Sequence, residues 1–145
     1  MEEFFVDAEL KTIHIVMPMS PRGDLLTYLI ERKRVADLGI ETGITENEVR
    51  TTAHQICDAM RHVHALGLIH YDLKPEEQNI LVFSAEPLWV KVADFGLADR
   101  VAPGMLTQKN YTIGSASYMA PEIVRCRPHN NKADSWGVGV IVHAM

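Results

Sequence analysis

The chain has 145 residues, enough for one domain with a sizeable core. Hydrophobic residues make up 47% and charged ones 23%, and mean hydropathy is −0.04, which excludes a disordered or membrane-embedded polypeptide. A net charge of −5 excludes the chain-wide basic field that nucleic-acid binding would need.

The N-terminus, MEEFFVDAEL, is acidic and lacks a basic start before an apolar run, so it does not read as a signal peptide. The late apolar run Val138 to Val142 is too short to span a bilayer. A cytoplasmic or nuclear protein is therefore expected, with no nucleic-acid or membrane partner and its oligomeric state left open. Cys57 and Cys126 have no paired metal or redox spacing, and Cys57 falls in an amphipathic pattern as a small core residue.

Glu3 to Val6 and Thr12 to Met17 are β-branched and aromatic runs joined by a polar link, a hairpin pattern. Ser20 to Asp24 reads as a turn, with Asp24 capping a helix from Leu25 to about Arg34. Val35 to Ile44, with Gly39 and Gly43, reads as a loop. Thr45-Glu46-Asn47-Glu48 is a capping box, in which hydroxyl and carboxylate each cover a free backbone donor. Val49, Ala53, Ile56, Met60 and Val63 then follow at helical spacing as one apolar stripe, stopped by Gly67. His54, His62 and His64 lie on or beside this helix, but no Cys or carboxylate joins them at ligand spacing, so they read as surface or packing residues.

The chemistry concentrates in His70 to Gly96, HYDLKPEEQNILVFSAEPLWVKVADFG. Asp72 and Asp94 are each flanked by short apolar runs that look like strands. Phosphoryl transfer uses such a layout: one carboxylate takes a hydroxyl proton and another holds the metal that neutralises phosphate charge. Further on come GSASYMAPE, residues 114–122, and DSWG, residues 134–137, which opens another helix.

DLKP, NILV, DFG and APE, in this order and at these separations, resemble the catalytic core of a eukaryotic Ser/Thr protein kinase. The resemblance implies an α+β, protein-kinase-like fold, present in part. Residues 1–19 would be the last small-lobe strands and hinge, and residues 20–145 an incomplete, mostly helical large lobe. Asp72 would be the base that accepts the proton of a protein Ser or Thr hydroxyl, and Lys74 would bring positive charge to the transferring phosphate of ATP. Asn79 and Asp94 would hold Mg²⁺. Met17 would stand behind the adenine, Pro18 and Ser20 would meet it through backbone groups, Asp24 would contact the ribose and Leu81 would support the adenine from below. Ser115 would link base and lysine, Glu122 would pair with an arginine of a later helix, Asp134 would bond the catalytic-loop backbone, and His70 would be buried beside Phe95.

Two departures stand out. Tyr71 occupies the place of an arginine that normally pairs with a phosphate on the activation segment, here Leu97 to Ser117, so activity independent of that phosphorylation is expected. Glu77-Gln78 reads as an insertion before Asn79, which threatens the placement of Asn79 relative to Asp72. Within these residues there is no Gly-rich phosphate loop and no strand lysine with its glutamate partner. Three readings follow: an active Ser/Thr kinase core, a kinase-fold binding or regulatory module, or a non-functional gene fragment. Nucleotide held from one side should bind weakly, so residues 1–145 alone are expected to show negligible transfer, with Trp136, Val140 and Ile141 exposed.

Overall fold

The computed structural model describes residues 3–40, 43–76, 79–102 and 104–145. Glu77 and Gln78, the expected insertion, lie outside the described residues.

The chain opens with an antiparallel hairpin, β1 (Glu3–Asp7) and β2 (Thr12–Val16), in which Glu3 pairs with Val16 and Asp7 with Thr12. Its turn is held by the Asp7 carboxylate, which accepts from the amides of Glu9 (3.0 Å) and Leu10 (2.9 Å). Phe4, Phe5, Val6, Ile13 and Ile15 are all exposed.

Helix α1 (Leu25–Asp37) starts at Asp24, whose side chain accepts from Thr27 N at 2.8 Å. It continues one turn beyond the expected end near Arg34. The segment Val35 to Asp37 has no helix breaker, and the first residue suited to a left-handed stop is Gly39 (φ +69°). Helix α2 (Glu46–Ala65) begins with the capping box as expected. Glu48 N meets Thr45 Oγ1 at 3.2 Å, and Thr45 N meets Glu48 Oε2 at 2.8 Å.

The buried face of α2 carries Thr52, Ile56, Met60 and Val63, with Val49 and Ala53 at its margin. Burying Ile56 completely contributes about 1.5–3 kcal/mol. Cys57, expected in the core, is exposed: it lies about 100° around the helix from Ile56 and so turns off the buried face.

Strands β4 (Ile80–Ala85) and β5 (Leu88–Val92) form a second antiparallel hairpin with a bulge between Val82 and Ser84. It lies on α2, where Gln55 donates to Leu88 O (2.8 Å) and accepts from Val90 N (2.7 Å). β3 (Leu68–Ile69) and β6 (Asp99–Arg100) pair as a third small sheet. A 3₁₀ turn (Ala116–Tyr118), α3 (Pro121–Val124) and α4 (Lys132–Ala144) complete the chain.

The main core joins Leu25, Tyr28, Ile56, Met60, Ile80, Val82, Val138 and Ile141. The expectation for α4 fails in part. Trp136 is 49% exposed, but Ile141 is fully buried and Val140 is half-buried. Asp134, Gly137, Val138 and Ile141 fall on one face of α4, at spacings of three and four, and that face is the one covered. Among the described residues, no helix is long and apolar enough to cross a membrane.

Candidate functional site

The site forms where the loop after β3 crosses the N-terminal end of α4. Gly67 (φ +71°) ends α2, and the two-residue β3 carries the chain to His70. Asp134, 2% exposed, accepts from the amides of His70 and Tyr71, each at 2.9 Å. Its Oδ2 also lies 2.8 Å from His64 Nε2. One carboxylate thus satisfies two buried backbone donors that no strand or helix could serve. His70 is fully buried, with its ring 4.7 Å from that of Phe95 and Nε2 3.0 Å from Ala93 O.

This anchoring presents Asp72 to a polar triangle. Lys74 Nζ stands 3.1 Å from Asp72 Oδ2 and donates to Ser115 Oγ at 2.9 Å, while Ser115 N donates to Asp72 Oδ1 at 2.8 Å. Burial works against ionisation of Asp72, but the bonds from Ser115 and Lys74 outweigh it, and the carboxyl is held below its ordinary range. A carboxylate kept ionised beside a lysine can orient a hydroxyl and take its proton.

Asn79 is fully buried and its Nδ2 donates to the backbone carbonyl of Asp72 at 2.6 Å. It therefore sits against the Asp72 loop, across the two residues read as an insertion. Its Oδ1 is buried with no hydrogen-bond partner among the described residues. Asp94 is exposed at the end of the β5 segment with φ +56°, and its Oδ1 accepts from Gly96 N at 3.1 Å. Among the described residues no three His, Cys, Asp or Glu groups form a metal cage. An orphaned amide oxygen and a carboxylate are hard donors that fit Mg²⁺, which usually takes few protein ligands and keeps water or phosphate oxygens.

The residues expected around a nucleotide also converge in part. Asp24 and Leu81 form an antiparallel bridge, reinforced by Val82 N donating to Gly23 O at 2.9 Å. Ser20 Oγ lies 2.7 Å from Val82 O and 2.9 Å from Gly23 O, tying the end of the β2 segment to β4. Met17 and Pro18 lie on the exposed stretch between β2 and that anchor. Glu122 sits in the first turn of α3, where its backbone carbonyl accepts from Arg127 N at 2.8 Å. A separate hollow of about 600 Å³, lined by Arg22, Tyr28, Glu31, Phe83 and Glu86, contains none of the residues of the triangle.

Sequence reasoning missed two contributors. Gly114 (φ +97°) passes so close to the Tyr71 carbonyl that no Cβ fits between them. His129 meets the Tyr71 hydroxyl with its Nε2 at 3.0 Å, and both side chains are buried. Nothing in the local pattern points to His129, because it is 58 residues from Tyr71 and outside any helical register with it.

The chain matches the protein kinase domain family over residues 2–145. It is 37% identical over 134 residues to Testis-specific serine/threonine-protein kinase 5 of Mus musculus, covering 91% of this chain and 34% of that protein. With Serine/threonine-protein kinase ULK1 of Homo sapiens the identity is 36% over 139 residues, 91% of this chain and 12% of the relative. A probable myosin light chain kinase of Dictyostelium discoideum is 33% identical over 135 residues, 93% of this chain and 39% of the relative. The chain thus spans well under half the length of each of these curated relatives. Family members in general use ATP and a divalent metal. Mixed helices, small sheets and the family match agree: the chain belongs to the protein kinase family and carries a partial protein-kinase fold.

Proposed function

We propose that this chain is the core of a Ser/Thr protein kinase, transferring the γ-phosphate of ATP to Ser or Thr hydroxyls of a protein substrate. The observation that carries the reading is the triangle of Asp72, Lys74 and Ser115, closed by three contacts between 2.8 and 3.1 Å. Asp72 accepts the substrate hydroxyl proton, and Lys74 holds positive charge beside the transferring group. Ser115 orients both, its amide on Asp72 and its hydroxyl on Lys74. Asn79 and Asp94 would hold Mg²⁺, which would supply neutralisation of phosphate charge. Met17, Pro18, Ser20, Asp24 and Leu81 form the nucleotide side, and Glu122 stabilises the segment that receives the substrate. In domain terms, residues 1–19 are small-lobe strands and hinge, and residues 20–145 belong to the large lobe. A cytoplasmic or nuclear location accords with this activity.

Because residues 1–145 alone are expected to show negligible transfer, the test uses these residues completed in frame with a small lobe and C-terminal helices, and reads Mg²⁺-dependent transfer from ATP to a Ser/Thr peptide and to a Tyr-only peptide. Asp72→Asn should lower the Ser/Thr rate by about 10²- to 10⁴-fold, and Asp94→Asn should abolish the Mg²⁺-dependent transfer. A rate unchanged by Asp72→Asn, or one confined to the tyrosine peptide, overturns the reading. A second reading, a kinase-fold binding module, is favoured by the apolar hairpin face of Phe4, Val6, Ile13 and Ile15, which is uncovered among the described residues. Nucleotide binding without any transfer would select it.

A further inference from the structure

Tyr71 is held from three directions. Its amide donates to Asp134, its carbonyl lies against Gly114, and its hydroxyl meets His129. The two rings stand edge to face, with centroids 5.6 Å apart at 83°. His129 Nδ1 lies 2.8 Å from the carbonyl oxygen of Arg127, an atom that can only accept. Nδ1 therefore donates, and in the neutral ring this leaves the lone pair on Nε2, placed to accept from the Tyr71 hydroxyl. The backbone of His129 is also committed: its N–H and C=O both bond Thr107, each at 2.8 Å, as an antiparallel bridge. Thr107 belongs to the 97–117 segment that leads to Ser115. A continuous path thus runs from the residue beside Asp72, through two buried side chains, to the middle of that segment.

We propose that Tyr71 and His129 are positioning residues forming an uncharged clamp that docks the 97–117 segment against the Asp72 loop without a phosphate. The arginine for which Tyr71 stands would need a phosphate opposite it; a phenol donating to a neutral imidazole needs none. Burial adds to the clamp, because breaking it leaves a hydroxyl and a ring nitrogen without partners away from water. Its consequence for transfer rests on the kinase reading above, whereas the clamp itself does not.

The clamp is tested on the full chain, shown by mass spectrometry to be unphosphorylated, using amide hydrogen exchange and nitrogen NMR of the imidazoles. The Thr107 and His129 amides should be protected, and His129 should show a protonated Nδ1 with a bare Nε2. Tyr71→Phe, which keeps the ring, should accelerate exchange at both amides by about tenfold, the effect of one buried hydrogen bond. His129→Asn should do the same, the double variant should add little, and His129→Gln, which can present an acceptor near the Nε2 position, should restore most of the protection. Protection unchanged by Tyr71→Phe, or acquired only after the segment is phosphorylated, overturns the proposal. If these signatures hold while Asp72-dependent transfer is absent even from the domain completed with a small lobe and C-terminal helices, the kinase reading fails and the clamp stands.

Discussion

Gly114→Ala should be among the most damaging single-methyl additions in this chain. At φ +97° an L-residue is strained by about 1–3 kcal/mol whatever surrounds it. The new Cβ would also lie deep inside van der Waals contact with the Tyr71 carbonyl oxygen, and the two must part by on the order of 1 Å. That oxygen is backbone, fixed on one side by the Tyr71 amide on Asp134 and on the other by Asp72. Parting therefore breaks the Ser115 N to Asp72 bond, a charge-assisted contact contributing about 1.5–3 kcal/mol. The total is about 2.5–6 kcal/mol, a large share of the roughly 5–15 kcal/mol typical of a folded domain. Denaturant unfolding measures it, with two controls. Gly104→Ala has a similar φ of +77° and open space, so it should cost only the strain. Gly139→Ala, in the interior of α4 with nothing near its Cβ, should stabilise by about 0.5–1 kcal/mol. If Gly114→Ala costs no more than Gly104→Ala, the close approach to Tyr71 is not a constraint and the reasoning fails.

Asp134→Ala should destabilise by about 2–6 kcal/mol, because the buried amides of His70 and Tyr71 each lose their acceptor; a cost under 1 kcal/mol in denaturant unfolding would show that other groups serve them. Tyr71 is pushed up to about 12, first by burial and then by Asp99 and Asp134, and Tyr118 is pushed to about 12 by burial and its bond to Glu76. A raised folded value stabilises fully below the unfolded value near 10, and this contribution is lost as pH rises through about 12. Ultraviolet titration compared with that of Tyr71→Phe and Tyr118→Phe should therefore show these two phenolates forming late and together with alkaline unfolding, and either of them ionising near pH 10 in the folded chain would contradict this. At the acid end, Asp72 has a lowered value, so its contribution is present above the ordinary carboxylate range and is lost as pH falls through the lower folded value. Lys74→Met should move that loss to higher pH, as followed by acid unfolding.

Local chemistry was legible in the sequence wherever the physics acts over a few residues. The Thr45–Glu48 capping box, the Asp24 cap and the two hairpins follow from hydrogen bonds and side-chain periods spanning five residues or fewer. The order of DLKP, NILV, DFG and APE was enough to indicate the family and the residues around Asp72. What folding alone decided was long-range and set by packing. Cys57 and Ile141 differed from expectation because burial depends on which neighbouring element covers a helix face, and an apolar pattern cannot name that neighbour. Asn79 reaches the Asp72 carbonyl because the strand β4 that follows it is fixed by pairing with β5 and by Val82 N on Gly23 O. The Tyr71–His129 contact joins positions 58 residues apart, where no helical or strand period correlates two side chains. It exists only once Asp134 has pinned the loop and Thr107 has paired with His129, since a hydrogen bond of this kind is too weak to gather the chain and forms where packing has already placed both groups.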